Sequence, residues 1–337
     1  MKRQIAITLM FCFLGVSVFS ASALATVSGD CEACHTVTTG IPLKPGEPFL
    51  YLLKGGSDLC IKCHSSATGE TTKIMGNSKV PIIHNTLRPE SPLAGGNFRY
   101  VDISLGGSHA KGHNVESVAP EDVILRNRPP GYQRASDPSV IGYNGNKRLT
   151  CAGSNGCHGD RNVEDTFAAI RGTHHAKDTP LDGSTTARSY RYLKNTAKVK
   201  GVIGLEDSDW EYTNSATDHN EYNTTIDYLC ASCHGDFHSA EGPWFRHPVD
   251  VILPRGGEYA NYKVYSAEAP VARKAIPTSS TDVVNPGVDM VMCLSCHRAH
   301  GSPYDAILRW DYDAMISGEG KAPSGGCFTC HSGKRYY

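Results

Sequence analysis

The sequence predicts a chain that is mostly irregular loop, with a few short α-helices and little β structure. Glycine and proline contribute 34 and 19 of 337 residues, about 16% against an average near 12%. Stretches with helical amphipathic periodicity are scarce. Cysteine pairs two residues apart, each followed at once by histidine, occur five times: CEACH ending at His35, CIKCH at His64, CASCH at His234, CLSCH at His297 and CFTCH at His331. A chain this rich in turn residues builds a stable interior only if something other than side chains supplies apolar surface.

The motifs say what that is. Two thiols and an adjacent imidazole on one turn form the attachment signature of covalent c-type haem: the thiols bond the two vinyl groups and the imidazole reaches the iron. Composition alone predicts about 0.02 such strings in a chain of this length, so five are not accidental. A zinc ribbon needs four ligands from two pairs and has no use for a histidine after every second cysteine. Disulfides ignore that histidine too. The cysteines used are Cys31 and Cys34, Cys60 and Cys63, Cys230 and Cys233, Cys293 and Cys296, and Cys327 and Cys330.

Counting the 13 cysteines adds a sixth site. Cys12 lies in the apolar N-terminal run, and two remain, Cys151 and Cys157, in CAGSNGCHGD. His158 follows the second, but five residues separate the thiols. Gly153 and Gly156 would let the longer loop fold back. A small disulfide loop and attachment through Cys157 alone are the competing explanations. The expectation is six covalent haem c groups stacked in a chain, around which the loops are organised.

The ends agree with this chemistry. Lys2 and Arg3, an apolar run over residues 4–20 and Ala23-Leu24-Ala25 read as a secretory signal over 1–25, leaving 26–337 as a single haem-organised unit. Haem would then be attached outside the cytoplasm, in the periplasm, at the outer surface or beyond it. No other run has the roughly 18 apolar residues of a membrane span. Without Lys2 and Arg3, 31 basic side chains face 34 acidic ones, and each haem adds propionates, which excludes a nucleic-acid partner. The iron-binding histidines His35, His64, His158, His234, His297 and His331 are close in sequence at both ends of the chain and separated by long haem-free stretches between.

The sixth ligand on each iron decides the function. Nine histidines lie outside the motifs: His84, His109, His113, His174, His175, His219, His238, His247 and His300. They are enough for six bis-histidine irons. His238 follows His234 by four residues and His300 follows His297 by three, so each pair shares a helix face and cannot bind one iron from opposite sides. Each of the two should therefore ligate a different haem. Methionine would raise the potential, but after the signal only Met75, Met290, Met292 and Met315 are present, and histidines already suffice.

The segments KGHN around His113, CASCHGDFHS leading to WFRHPVD around His247, and CLSCHRAHGSPYDAILRW around His300 resemble the OmcS-type six-haem extracellular cytochromes of Geobacter. The similarity runs in the same order over most of the mature chain. It implies bis-histidine haems in a continuous chain, little regular structure, and electron transport out of the cell, in the type member as a polymerised filament. Two departures stand out. In the family a histidine three residues after the first motif ligates a haem of the neighbouring subunit, where this chain has Thr38. The third motif is expanded and lacks the closely following histidine, so that one of His174 and His175 is the expected replacement. The remaining ligands would be His84, His113, His238, His247 and His300, with His109 and His219 unassigned and either one free to serve a subunit contact.

The expected function is a secreted electron conduit, an electron carrier and not an enzyme, passing electrons to other multihaem cytochromes or to an outside acceptor such as a mineral. The alternatives are a reductase with one open haem site, a filament-forming subunit, and a scaffold for another cytochrome complex. No CxxCK site favours the reductase. Without the Thr38 contact, an obligate filament is not expected.

Overall fold

The structure is a computed structural model, and it describes residues 27–29, 34–35, 40–42, 51–53, 57–126, 128–132, 147–176, 180–194, 201–212, 218–238, 247–315 and 325–336. The secretory signal over 1–25, Cys31 and Thr38 lie outside the described residues, and the side chain of His238 is not described.

Helices are few and short, as the composition demands. They are α1 Ser57–His64, α2 Thr166–Ala169, α3 Thr225–Ala231, α4 Gly235–His238 and α5 Cys327–Cys330, joined by single 3₁₀ turns such as Cys293–Ser295. Strands run two to five residues and form six small sheets, five of them two-stranded. Among the described residues no helix is long and apolar enough to cross a membrane.

Three of the helices, α1, α3 and α5, form around the cysteine pairs. Cysteines three residues apart share a face only in a helical turn. The motif histidine closes that turn: the N–H groups of His234, His297 and His331 donate to the carbonyls of Cys230, Cys293 and Cys327 at 2.9, 3.0 and 3.0 Å. Each of these three motifs is thus a self-contained hydrogen-bonded turn, stable enough locally to need no long helix around it.

The expanded motif solves the same problem differently. Cys151 lies on strand Thr150–Ala152 and Cys157 on Gly156–Asp160, parallel neighbours in the three-stranded sheet that Leu193–Lys194 completes. The loop between them needs its glycines. Gly153 sits at φ +92°, and a Cβ on Gly156 would lie 2.6 Å from the Ala152 backbone, which cannot move aside. Gly156→Ala should therefore cost about 1–3 kcal/mol of stability and lower haem content at this site alone. Thermal unfolding together with intact mass checks both effects.

Side-chain cores are small and separate, and each one grips a motif. The first joins Tyr190, Val202, Tyr222, Met290 and Met292 with Ile226 and Leu229, which precede Cys230 on α3. The second gathers Leu253, Tyr262, Tyr265, Val271 and Val284, with Cys330 packed against it. The third gathers Phe98, Val101, Val115 and Val118, with Ile61 and Cys151 on its edge. Met290 and Met292 are spent on packing. The cores fix where the motifs stand relative to one another.

Candidate functional site

Every described cysteine is a free thiol, so Cys151 and Cys157 are not joined to each other. Burial pushes the Cys157 and Cys330 thiols up to about 12 and Cys296 to about 11. Hydrogen bonding to Cys60 and then burial raise Cys151. Such thiols stay protonated at neutral pH, unlike the lowered thiolates of zinc sites or reactive cysteines.

The thiols of successive motifs are neighbours. Cys34 feels Cys63, Cys60 hydrogen-bonds Cys151, Cys157 feels Cys233, Cys230 hydrogen-bonds Cys293, and Cys296 feels Cys327. The six cysteine pairs therefore follow one another in space in their sequence order.

The imidazoles meet in twos at one spacing. Ring centroids are 6.1 Å apart for His35 and His175, 6.4 Å for His64 and His174, 6.3 Å for His158 and His300, 6.1 Å for His113 and His234, and 6.2 Å for His247 and His331. That gap is too wide for direct contact. A metal bonded to two imidazole nitrogens at about 2.0 Å, each about 1.1 Å from its ring centre, holds the centroids roughly 6.2 Å apart. The spacing fits a haem iron between two histidines.

Ring orientation agrees. Nδ1 lies 2.6–3.0 Å from an acceptor in six of these histidines and in His297: the carbonyl of Pro81 for His64, Ala299 for His113, Arg191 for His158, Pro130 for His234, Pro248 for His247 and Ala306 for His297, and the Glu258 carboxylate for His331. A ring that donates from Nδ1 has the tautomer whose Nε2 lone pair is available to a metal, the usual support of a ligating histidine. Burial also keeps the rings neutral, lowering His113 and His174 to about 4 and His300 to about 3, with nearby imidazoles adding to the effect. Only a neutral imidazole can ligate.

The structure brings together His113, His174, His175, His247 and His300 with motif histidines. His174 and His175 both find one, on the first and second sites, where the sequence led us to expect a single ligand. His300, three residues from His297, faces His158 instead, as two neighbours on one face require. His84 stands apart: its Nε2 lies 2.8 Å from Asp102 Oδ2. His219 is fully buried, stacked on Tyr265 with centroids 3.4 Å apart, and its two nitrogens lie 2.8 and 2.9 Å from the carbonyls of Asn220 and Thr281. It cannot serve a subunit contact, which corrects that expectation. His109 is held at Nδ1 by Asn114, 3.0 Å away. His297 has no opposed ring among the described side chains.

Comparison with known proteins follows the same lines. The family model for a doubled CXXCH motif matches residues 286–336, which hold the last two sites. The chain is 24% identical to the C-type cytochrome OmcS of Geobacter sulfurreducens over 393 aligned residues, covering 92% of this chain and 86% of that protein. Among solved structures it is similar to the Outer Membrane Cytochrome S filament of the same organism, at 18% identity and TM-score 0.45 over 88% of this chain and 87% of that one. It is also similar to the cryo-EM structure of the OmcS nanowires, at 19% identity and TM-score 0.46 over 93% and 94%.

Proposed function

We propose that the chain, similar to the C-type cytochrome OmcS and carrying a doubled CXXCH motif, is a secreted six-haem conduit of extracellular electron transfer, with residues 26–337 forming one unit. The observation that carries this reading is the repeated imidazole spacing at sites ordered consecutively along the chain. A haem iron held between two histidines carries one electron by alternating between ferric and ferrous states.

The chain's own residues do the rest. Cys31 with Cys34, Cys60 with Cys63, Cys151 with Cys157, Cys230 with Cys233, Cys293 with Cys296 and Cys327 with Cys330 fix the six groups. Backbone carbonyls at Nδ1 hold the imidazoles of His64, His113, His158, His234, His247 and His297 in one tautomer and one orientation, so that little rearranges when charge arrives. Closure of both axial positions excludes water and small oxidants from the iron, which is what separates a carrier from a reductase.

Five axial pairs are those named above. We assign His238 as the second ligand of the fifth site, that of His297. His84 and His219 already have their Nε2 bonded, and His238 follows a site whose Cys230 thiol meets Cys293. His84 is left out of the axial set. Partners are other multihaem cytochromes or a terminal acceptor at the outer surface. A second copy of the chain is also a partner, since the similar structures are filaments, and His109 is the histidine left for that contact.

The second reading is a reductase with one open iron, at the site of His297. Carbon monoxide decides between them. The reduced protein should bind none, and His238→Ala should bind one per chain. Stoichiometric binding by the unaltered protein would establish the open site and overturn the conduit with all positions closed.

A further inference from the structure

Arg161 is a buried charge without an acid. It follows strand Gly156–Asp160 and is 2% exposed. Its guanidinium donates to Ser232 Oγ through Nη1 and reaches Cys233 Sγ at 3.9 Å through Nη2, while Nε has no partner. The other buried arginines are treated differently. Arg273 pairs with Glu221 and Asp289, and Arg191 pairs with Glu206. Arg309 spends its protons on the carbonyls of Leu294, Ala267 and Ala94. Even Asp160, next to Arg161 in sequence, is taken by Lys194 at 2.8 Å.

Leaving a buried charge uncompensated is strongly unfavourable, and natural interiors pair such charges. Among the described residues, what surrounds Arg161 is a hydroxyl and the thiols of two attachment sites. Cys233 belongs to the fourth site, and Cys157, which also feels the Arg161 charge, belongs to the third. The guanidinium therefore stands at the junction of two haem sites.

We infer that Arg161 is a redox-tuning residue, whose fixed positive charge raises the reduction potentials of the third and fourth haems by stabilising the electron that arrives there. The argument rests on the haem positions proposed above. Reduction adds one electron per haem, drawn from whichever donor feeds the conduit, and takes the iron–porphyrin core from a net positive charge to neutral, a change that a fixed positive charge beside it favours. In a dry interior the attraction is stronger than at the surface and little screened by salt. The middle of the conduit then holds electrons more firmly than its neighbours, so that charge entering at either end collects there.

The test is a mediated spectroelectrochemical titration of the purified holoprotein. Intact mass first establishes six haems in each variant, which keeps a failure of the haem assignment distinct from a failure of this inference. Arg161→Gln keeps a donor toward Ser232 and removes the charge. It should shift two of the six components to lower potential by a tenfold or greater change in the reduction equilibrium, about 59 mV for one electron. The shift should persist at high salt, and Arg161→Lys should restore the original curve. Should Arg161→Gln fail to mature, Arg161→Lys decides alone: its amine loses a proton at alkaline pH whereas arginine does not. Two components should then fall with rising pH in that variant and not in the unaltered protein. An unchanged curve in Arg161→Gln, an equal shift in both variants, or no alkaline drop in Arg161→Lys would overturn the inference.

Discussion

His300→Ala should turn one of the haems into a high-spin, carbon-monoxide-binding group and break electron passage at the third site. The ring of His300 lies opposite His158 with centroids 6.3 Å apart, and its low pKa of about 3, set by burial, leaves the lone pair free at any physiological pH. Nothing described nearby can replace it. The ring also packs on Phe98, centroids 4.8 Å apart. The same change should therefore cost on the order of 1–3 kcal/mol of stability. His300→Met separates the two effects. It supplies a thioether ligand, keeps the iron six-coordinate and raises its potential. His84→Ala is the contrasting control: its ring pairs with Asp102, so the visible spectrum should not change. Electron paramagnetic resonance reads the spin state of the three variants, a redox titration the potential and thermal unfolding the stability. A high-spin signal in His84→Ala with none in His300→Ala would reverse the assignment.

The second large effect is expected at the expanded motif. Replacing both Cys151 and Cys157 by serine should lower the intact mass by one haem and leave five. Because the third site touches the second through Cys60 and the fourth through Cys233, its loss divides the conduit into two and three groups. Electron transfer across the whole chain should fall far more than the loss of one group in six implies. Cys151→Ser alone distinguishes attachment through two bonds from attachment through Cys157. With two bonds, denatured Cys151→Ser protein still carries its haem, but with a vinyl-shifted absorption band. With Cys157 alone, the spectrum stays as it was. Retention of six haems by the double variant would remove Cys151 and Cys157 from the attachment set.

How far the sequence could be read follows from the range of the interactions involved. The attachment motifs are legible because their chemistry is local: two thiols, one imidazole and the hydrogen bond from His234 to Cys230 lie within five residues. The loop-rich fold is legible from glycine and proline, and the structure agrees, with strands no longer than the five residues of Gly156–Asp160. Axial pairing is not legible in this way. His113 reaches His234, and its ring is held by a carbonyl 186 positions away, at Ala299. The tertiary arrangement of three separate cores selects that partner. Histidines also look alike in a sequence. Asp102 claims His84, and the carbonyls of Asn220 and Thr281 claim His219, and neither competitor carries a motif. The adjacent His174 and His175 look redundant, yet a 3₁₀ turn over Thr173–His175 presents them to different sites.

The central claim is a single line of six haems in sequence order, five of them clamped by the pairs His35 and His175, His64 and His174, His158 and His300, His234 and His113, and His331 and His247. An experimental structure of the native secreted holoprotein, by crystallography or by electron microscopy if it is filamentous, tests this most directly. Continuous density for six groups bonded to the named cysteines, each of the five irons lying between its named histidines and each group next to its sequence neighbour, is the predicted result. A haem held by a different pair, a break in the order between the third and fourth sites, or only five groups would contradict it.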